Sequence, residues 1–162
     1  MGRISDRLAE LGWVLPPPLA MPAGVERPFA WVAVRGDRVF ASGHGAQAAD
    51  GSLAGPFGQV GGTVDEAQAQ ALAGLTALSM LGSLERELGD LDRIAGWCRV
   101  FGMVNSAPGF ARQPAVVNGF SERIIALFGT EVGRHARSAV GMAALPFGMA
   151  VEIEAELILR DG

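Results

Sequence analysis

At 162 residues the chain is long enough to bury a core of its own and short enough to be one domain, 1–162. A 49% hydrophobic fraction excludes an intrinsically disordered chain, and a net charge of −4 with a pI near 5.1 supplies no basic field to draw in nucleic acid. The lone cysteine, Cys98, excludes an intrachain disulfide and a cysteine-based metal cluster.

Charged residues make up only 19% and tyrosine is absent, a composition that fits a protein burying further surface by oligomerising. Arg3, Asp6, Arg7 and Glu10 interrupt the N-terminus, so no secretory signal is expected. No apolar run reaches the roughly 18 residues of a membrane span. The expectation is a cytoplasmic protein without membrane or nucleic-acid partners.

In chain order, Ser5–Gly12 reads as a short helix with Ser5 as cap, Gly12 as stop, and Ile4, Leu8 and Leu11 as its apolar edge. Pro16–Pro18, Pro22 and Gly24 forbid helix and predict an extended arm, so that 1–28 is a lead-in packed on the domain. Phe29–Val34 and Arg38–Ser42 flank the Gly36-Asp37 turn as a β-hairpin, which Ser42-Gly43-His44-Gly45 ends. A glycine-rich stretch runs from Ala46 to Gly62.

Thr63-Val-Asp-Glu66 has the spacing of a capping box for a long helix to about Leu88, with Ala71, Leu75, Leu78, Leu81 and Leu88 as its stripe and Gly89 as its stop. Ile94–Val104 reads as a strand that buries Cys98 among Trp97, Val100, Phe101 and Val104. Pro114 opens a second amphipathic helix along Val117, Phe120, Ile124 and Phe128, closed by Gly129. The closing segment, Gly133–Leu159, reads as two strands around a Pro-Phe-Gly turn. Alternation puts Glu152, Glu154 and Glu156 on one face of the second strand, opposite Val151, Ile153, Ala155, Leu157 and Leu159. Two readings of that acidic row stand: a solvated face, or one matched by Arg134, His135 and Arg137. The element order predicts an α+β two-layer sandwich, a mixed sheet with two helices on one face.

Ser42-Gly43, Asn118 within VNGFSE, then ARSAV (136–140), Leu145-Pro146 and VEIEA (151–155) together resemble the Rid/YjgF family, also called L-PSP endoribonuclease-like. The resemblance spans roughly Phe29 to Arg160. It implies a chorismate mutase-like homotrimer with clefts between subunits. The implied activity is hydrolysis of reactive enamines and 2-imino acids to 2-keto acids and ammonia, with no cofactor and no metal.

Through that resemblance Arg137 holds the substrate carboxylate, as a planar guanidinium suits two parallel hydrogen bonds. Glu152 places or activates the attacking water. Phe29, Ser42, Gly43, His44 and Asn118 line the ligand. Phe29 stands where the family commonly has Tyr, Ala139 where it often has Cys, and His44 where it commonly has Gln; the arm and the glycine-rich stretch suggest a longer subgroup.

Beside this reading stand plainer ones. Arg137 could pair with the acidic strand, and Glu154 and Glu156 with Arg99, Arg134 or solvent. His44 could be acid–base or simply structural, and His135 a loop residue. The two histidines and one cysteine have no metal-ligand spacing. No strand–GxGxxG–helix unit occurs, and ribonuclease chemistry would want a basic groove with stacking aromatics. The alternative function is a non-catalytic binder of small carboxylates, or a regulatory protein of the same fold.

Overall fold

The computed structural model describes residues 2–20, 24 and 27–160; Pro22 of the arm lies outside the described residues. In order it contains α1 (Arg3–Glu10), β1 (Val32–Arg35), β2 (Arg38–His44), α2 (Glu66–Leu88), β3 (Ile94–Asn105), α3 (Gln113–Gly133), β4 (Ala136–Met142) and β5 (Val151–Leu159). The five strands form one mixed sheet in the order β1-β2-β5-β3-β4, with only the β3–β4 pair parallel. Helices α2 and α3 pack on each other and on one face, burying Leu81, Leu84, Phe120 and Ile124 against Val39, Val100, Ile153 and Leu157.

The closing segment is not a hairpin. Strand β3 lies between β4 and β5, and segment 143–150 carries the chain across its end. That end is tied to both neighbours: Asn105 N–H donates to the Ala150 carbonyl at 2.9 Å, Ser106 N–H to Met142 at 3.0 Å. Burying β5 on both edges satisfies its backbone groups while its odd residues seal the core. The alternation holds: Val151, Ile153, Ala155, Leu157 and Leu159 are buried, and Glu152, Glu154 and Glu156 face the sheet side that α2 and α3 leave uncovered.

Local signals were displaced by a residue or two. Helix α1 starts before Ser5; its N-terminus is met from outside, by Asp92 Oδ2 accepting from Ile4 N–H at 3.2 Å. At α2 the cap is Asp65, not Thr63. Gln68 N–H donates to Asp65 Oδ1 at 2.8 Å, and Asp65 N–H to Gln68 Oε1 at 3.0 Å. Val64 is fully buried and bridged to Val60, and Gly61–Thr63 form the turn between them, so Thr63 is held in that turn and the cap falls two residues later. The buried stripe of α2 follows the later start, through Ala69, Leu72, Ala73, Ala77, Met80, Leu81 and Leu84, and leaves Ala71 exposed.

Gly89 ends α2 with φ of 77°, as expected of glycine in the left-handed region, whereas Gly129, φ 76°, breaks α3 without ending it and helical turns resume to Gly133. A break in register between Trp97 and Arg99 turns Cys98 outward, so it is exposed rather than buried. In the proline stretch Arg86 Nη1 donates to the Pro16 carbonyl at 3.1 Å and Gln47 Nε2 to the Pro17 carbonyl at 3.2 Å. No helix among the described residues is long and apolar enough to cross a membrane.

Candidate functional site

Arg137 lies on the edge strand β4, level with Val100 of β3. Val100 faces the helices, so Arg137 does too, and its side chain meets one stripe of α3. Nη1 donates to Asn118 Oδ1 and to Ser121 Oγ, both at 3.0 Å, and Nη2 to the Pro114 carbonyl at 3.3 Å. Residues 114, 118 and 121 are spaced i, i+4, i+7, which stacks them on one helix face. Arg137 has no carboxylate partner among the described residues. The proposed ion pair to the acidic strand is therefore absent within the chain, and the guanidinium keeps unused donors.

Ser121 and His135 were not among the residues singled out for chemistry. Ser121 Oγ lies 2.9 Å from His135 Nε2, and His135 Nδ1 lies 2.7 Å from the Gly133 carbonyl. Burial, and less strongly the nearby Arg137 charge, push the imidazole's pKa down against the backbone hydrogen bond, favouring the neutral ring.

Ser42, Gly43 and Glu152 form a second group. Ser42 Oγ donates to the Ala30 carbonyl at 2.7 Å, and its N–H to Trp31 at 2.9 Å. The β2–β5 register slips between Ala41 and His44, and the Glu152 carboxylate lies over Gly43, where any Cβ would collide with it. Burial, and secondarily Glu154, raise the Glu152 pKa above the ordinary carboxylate value. Such a group can accept and return a proton nearer neutrality. Phe29 precedes β1 rather than joining it, is half exposed, and meets Trp31 edge-on at 5.3 Å.

The remaining candidates take other places. His44 is 4% exposed and turned to the helix side, with Nδ1 2.6 Å from the Ser42 carbonyl and Nε2 without a partner among the described residues. Burial lowers its pKa to about 4. Glu156 pairs with Arg38 at 2.9 Å rather than with Arg99 or Arg134, while Arg99 lines an open groove of about 220 Å³ with Phe40, Phe101, Glu154 and Glu156. Among the described residues no cluster of three His, Cys, Asp or Glu could hold a metal.

The chain thus carries two groups on opposite faces of its sheet: Arg137, Asn118, Ser121 and His135 by α3, and Ser42, Gly43 and Glu152 on the other side.

No family model matches the chain. It is similar to protein TCP17 of Trypanosoma cruzi, 45% identical over 104 residues; the match covers 64% of this chain and spans 65% of that protein's length. Among solved structures it is similar to Atu1372 of Agrobacterium tumefaciens, a protein of unknown function, with a TM-score of 0.83 at 38% identity, covering 96% of this chain and 91% of that one. A Shewanella oneidensis protein, described as a candidate endoribonuclease, aligns with a TM-score of 0.84 at 24% identity over 96% and 99% of the two chains. E. coli TdcF, solved with bound serine, aligns at 0.58 and 18% identity over 91% and 96%.

These comparisons and the sheet topology place the chain in the Rid/YjgF, or L-PSP-like, fold family. Atu1372 is its relative by sequence as well as by fold.

Proposed function

We propose that the protein hydrolyses small 2-imino or enamine acids to 2-keto acids and ammonia, at clefts between the subunits of a homotrimer. The observation that carries this reading is Arg137 itself: a guanidinium fixed by three hydrogen bonds, without a carboxylate partner among the described residues. A cation so held is set up to receive a carboxylate from a ligand. Glu152 cannot reach it within one chain, so a neighbouring copy has to supply the second half of the cleft. TdcF, which shares the fold, was solved with a small amino acid.

In the reaction Arg137 grips the carboxylate, and Glu152 of a neighbouring copy orients water toward the imine carbon and takes its proton. As the C–O bond forms, the C=N π pair moves to nitrogen. The proton then passes to nitrogen to give the carbinolamine, and the C–N bond breaks as the hydroxyl proton is carried by Glu152 to the leaving nitrogen and the O–H pair forms the C=O bond, releasing ammonia and the keto acid. Ser42 and Gly43 line the cleft beside Glu152, with Phe29 toward its mouth. The measurement is ammonia release from enzymatically generated 2-aminoacrylate. Wild type should accelerate it and Arg137→Ala should not; equal rates would remove the assigned role.

A non-catalytic carboxylate binder is the second reading, favoured by Phe29 and Ala139, which bring neither hydroxyl nor thiol to the cleft. Tight pyruvate binding without turnover would establish it.

A further inference from the structure

The hydrogen bonds around Ser121 have only one consistent direction. Arg137 can only donate, so Ser121 Oγ accepts from Nη1 at 3.0 Å. The Gly133 carbonyl can only accept, so His135 carries its proton on Nδ1, 2.7 Å away. In the neutral ring Nε2 is then bare, and the Ser121 hydroxyl proton, 2.9 Å from it, must point there. The chain runs Arg137 → Ser121 → His135 → Gly133 carbonyl, with every donor and acceptor assigned.

We propose that Ser121 and His135 are positioning residues for Arg137, an added layer of the carboxylate site built through α3 and the turn before β4. Each member depends on the next. Without Nε2 as acceptor, the Ser121 hydroxyl is free to rotate and offer its proton toward the guanidinium instead of a lone pair. With the acceptor in place, Nη1 gives both hydrogens, to Ser121 and Asn118, and Nη2 gives one to Pro114. Of the five guanidinium N–H bonds, Nε–H and one on Nη2 are left. These are the donors a carboxylate can bridge. Asn118 cannot fix this plane alone, because a single contact to Nη1 leaves rotation about it open, whereas partners at 114, 118 and 121 hold the group along two turns of α3.

The inference rests on the reading of Arg137 as the carboxylate anchor, and the test separates the two. Pyruvate binding is measured by titration calorimetry on the intact protein, with thermal unfolding as the control for folding. Ser121→Ala should weaken binding about tenfold, the scale of one charge-assisted hydrogen bond, and Ser121→Thr, which keeps the hydroxyl, should stay close to wild type. His135→Phe, which keeps a ring but not the acceptor, should weaken binding in the same direction. The Ser121→Ala/His135→Phe double variant should bind no worse than Ser121→Ala alone, since both act through one hydrogen bond. In turnover the loss should fall on KM, with kcat little changed.

Wild-type affinity in Ser121→Ala and His135→Phe, or effects that simply add in the double variant, would overturn the positioning role. Normal binding in Arg137→Ala would overturn the anchor itself. Should Ser121→Ala not fold, His135→Phe set against Ser121→Thr carries the same comparison.

Discussion

Arg137 and Glu152 point to opposite faces of one sheet, on strands separated by β3. Arg137 is level with Val100 and faces α3; Glu152 is level with Met103 and faces away. Two strand spacings alone separate their backbones by roughly 10 Å. One subunit therefore cannot bring the two residues together, and the proposed function requires a second copy.

Complementation follows from that geometry. Arg137→Ala and Glu152→Gln should each lose the acceleration of ammonia release as pure proteins. Unfolded together and refolded as mixed oligomers, they should regain activity, because about a quarter of randomly formed interfaces would unite an intact Arg137 with an intact Glu152. No recovery in verified mixed oligomers would place both residues in separate functions.

Gly43 is needed for contact, not for backbone freedom. A Cβ there would strike the Glu152 carboxylate, which a rotamer change of that long side chain can relieve. Gly43→Ala should therefore fold, with a melting temperature near wild type, but lose most of its kcat as Glu152 swings off its position. Full activity in Gly43→Ala would detach Glu152 from the chemistry.

His44 gives the stability a defined acid limit. Its pKa falls from 6.5 to about 4 on folding, chiefly through burial. The unfolded chain binds the proton first as pH drops, so stability declines from about pH 6.5 downward and levels off near pH 4. The loss reaches about 3 kcal/mol if the full shift applies. His44→Gln should flatten that part of the curve in urea titrations at pH 7, 6, 5 and 4. An unchanged pH slope would contradict the burial argument.

Helix α2 offers a check on its cap. Asp65→Ala should cost about 1 kcal/mol and Thr63→Ala close to nothing, read as the shift in urea midpoint. The reverse order would restore the cap read from Thr63 and Glu66.

Much of this fold can be read along the chain because it rests on local rules. Gly89 stops α2, Gly129 breaks α3 near its end, Pro114 opens α3, and alternation along 151–159 separates core from surface. Pairing partners follow no such rule. Nothing in residues 133–159 announces that β3 inserts between the last two strands, because hydrogen-bond ladders are made by backbone groups common to every residue. The same limit governs the site. Arg137, Glu152, Ser42 and Asn118 came from family motifs, whereas Ser121 and His135 emerged only when α3 and the turn before β4 were set side by side. One signal was present: 114, 118 and 121 share a helix face. At His44 a strand end among glycines left acid–base and structural roles open, and only the fold shows the ring buried beside Leu19 of the arm.

The most direct measurement is a crystal structure of the protein soaked with pyruvate. The account predicts a carboxylate bridged by Nε and Nη2 of Arg137, in a cleft closed by Ser42, Gly43 and Glu152 of a neighbouring subunit. Pyruvate bound away from Arg137, or Arg137 paired with a neighbour's carboxylate and closed to ligand, would contradict it.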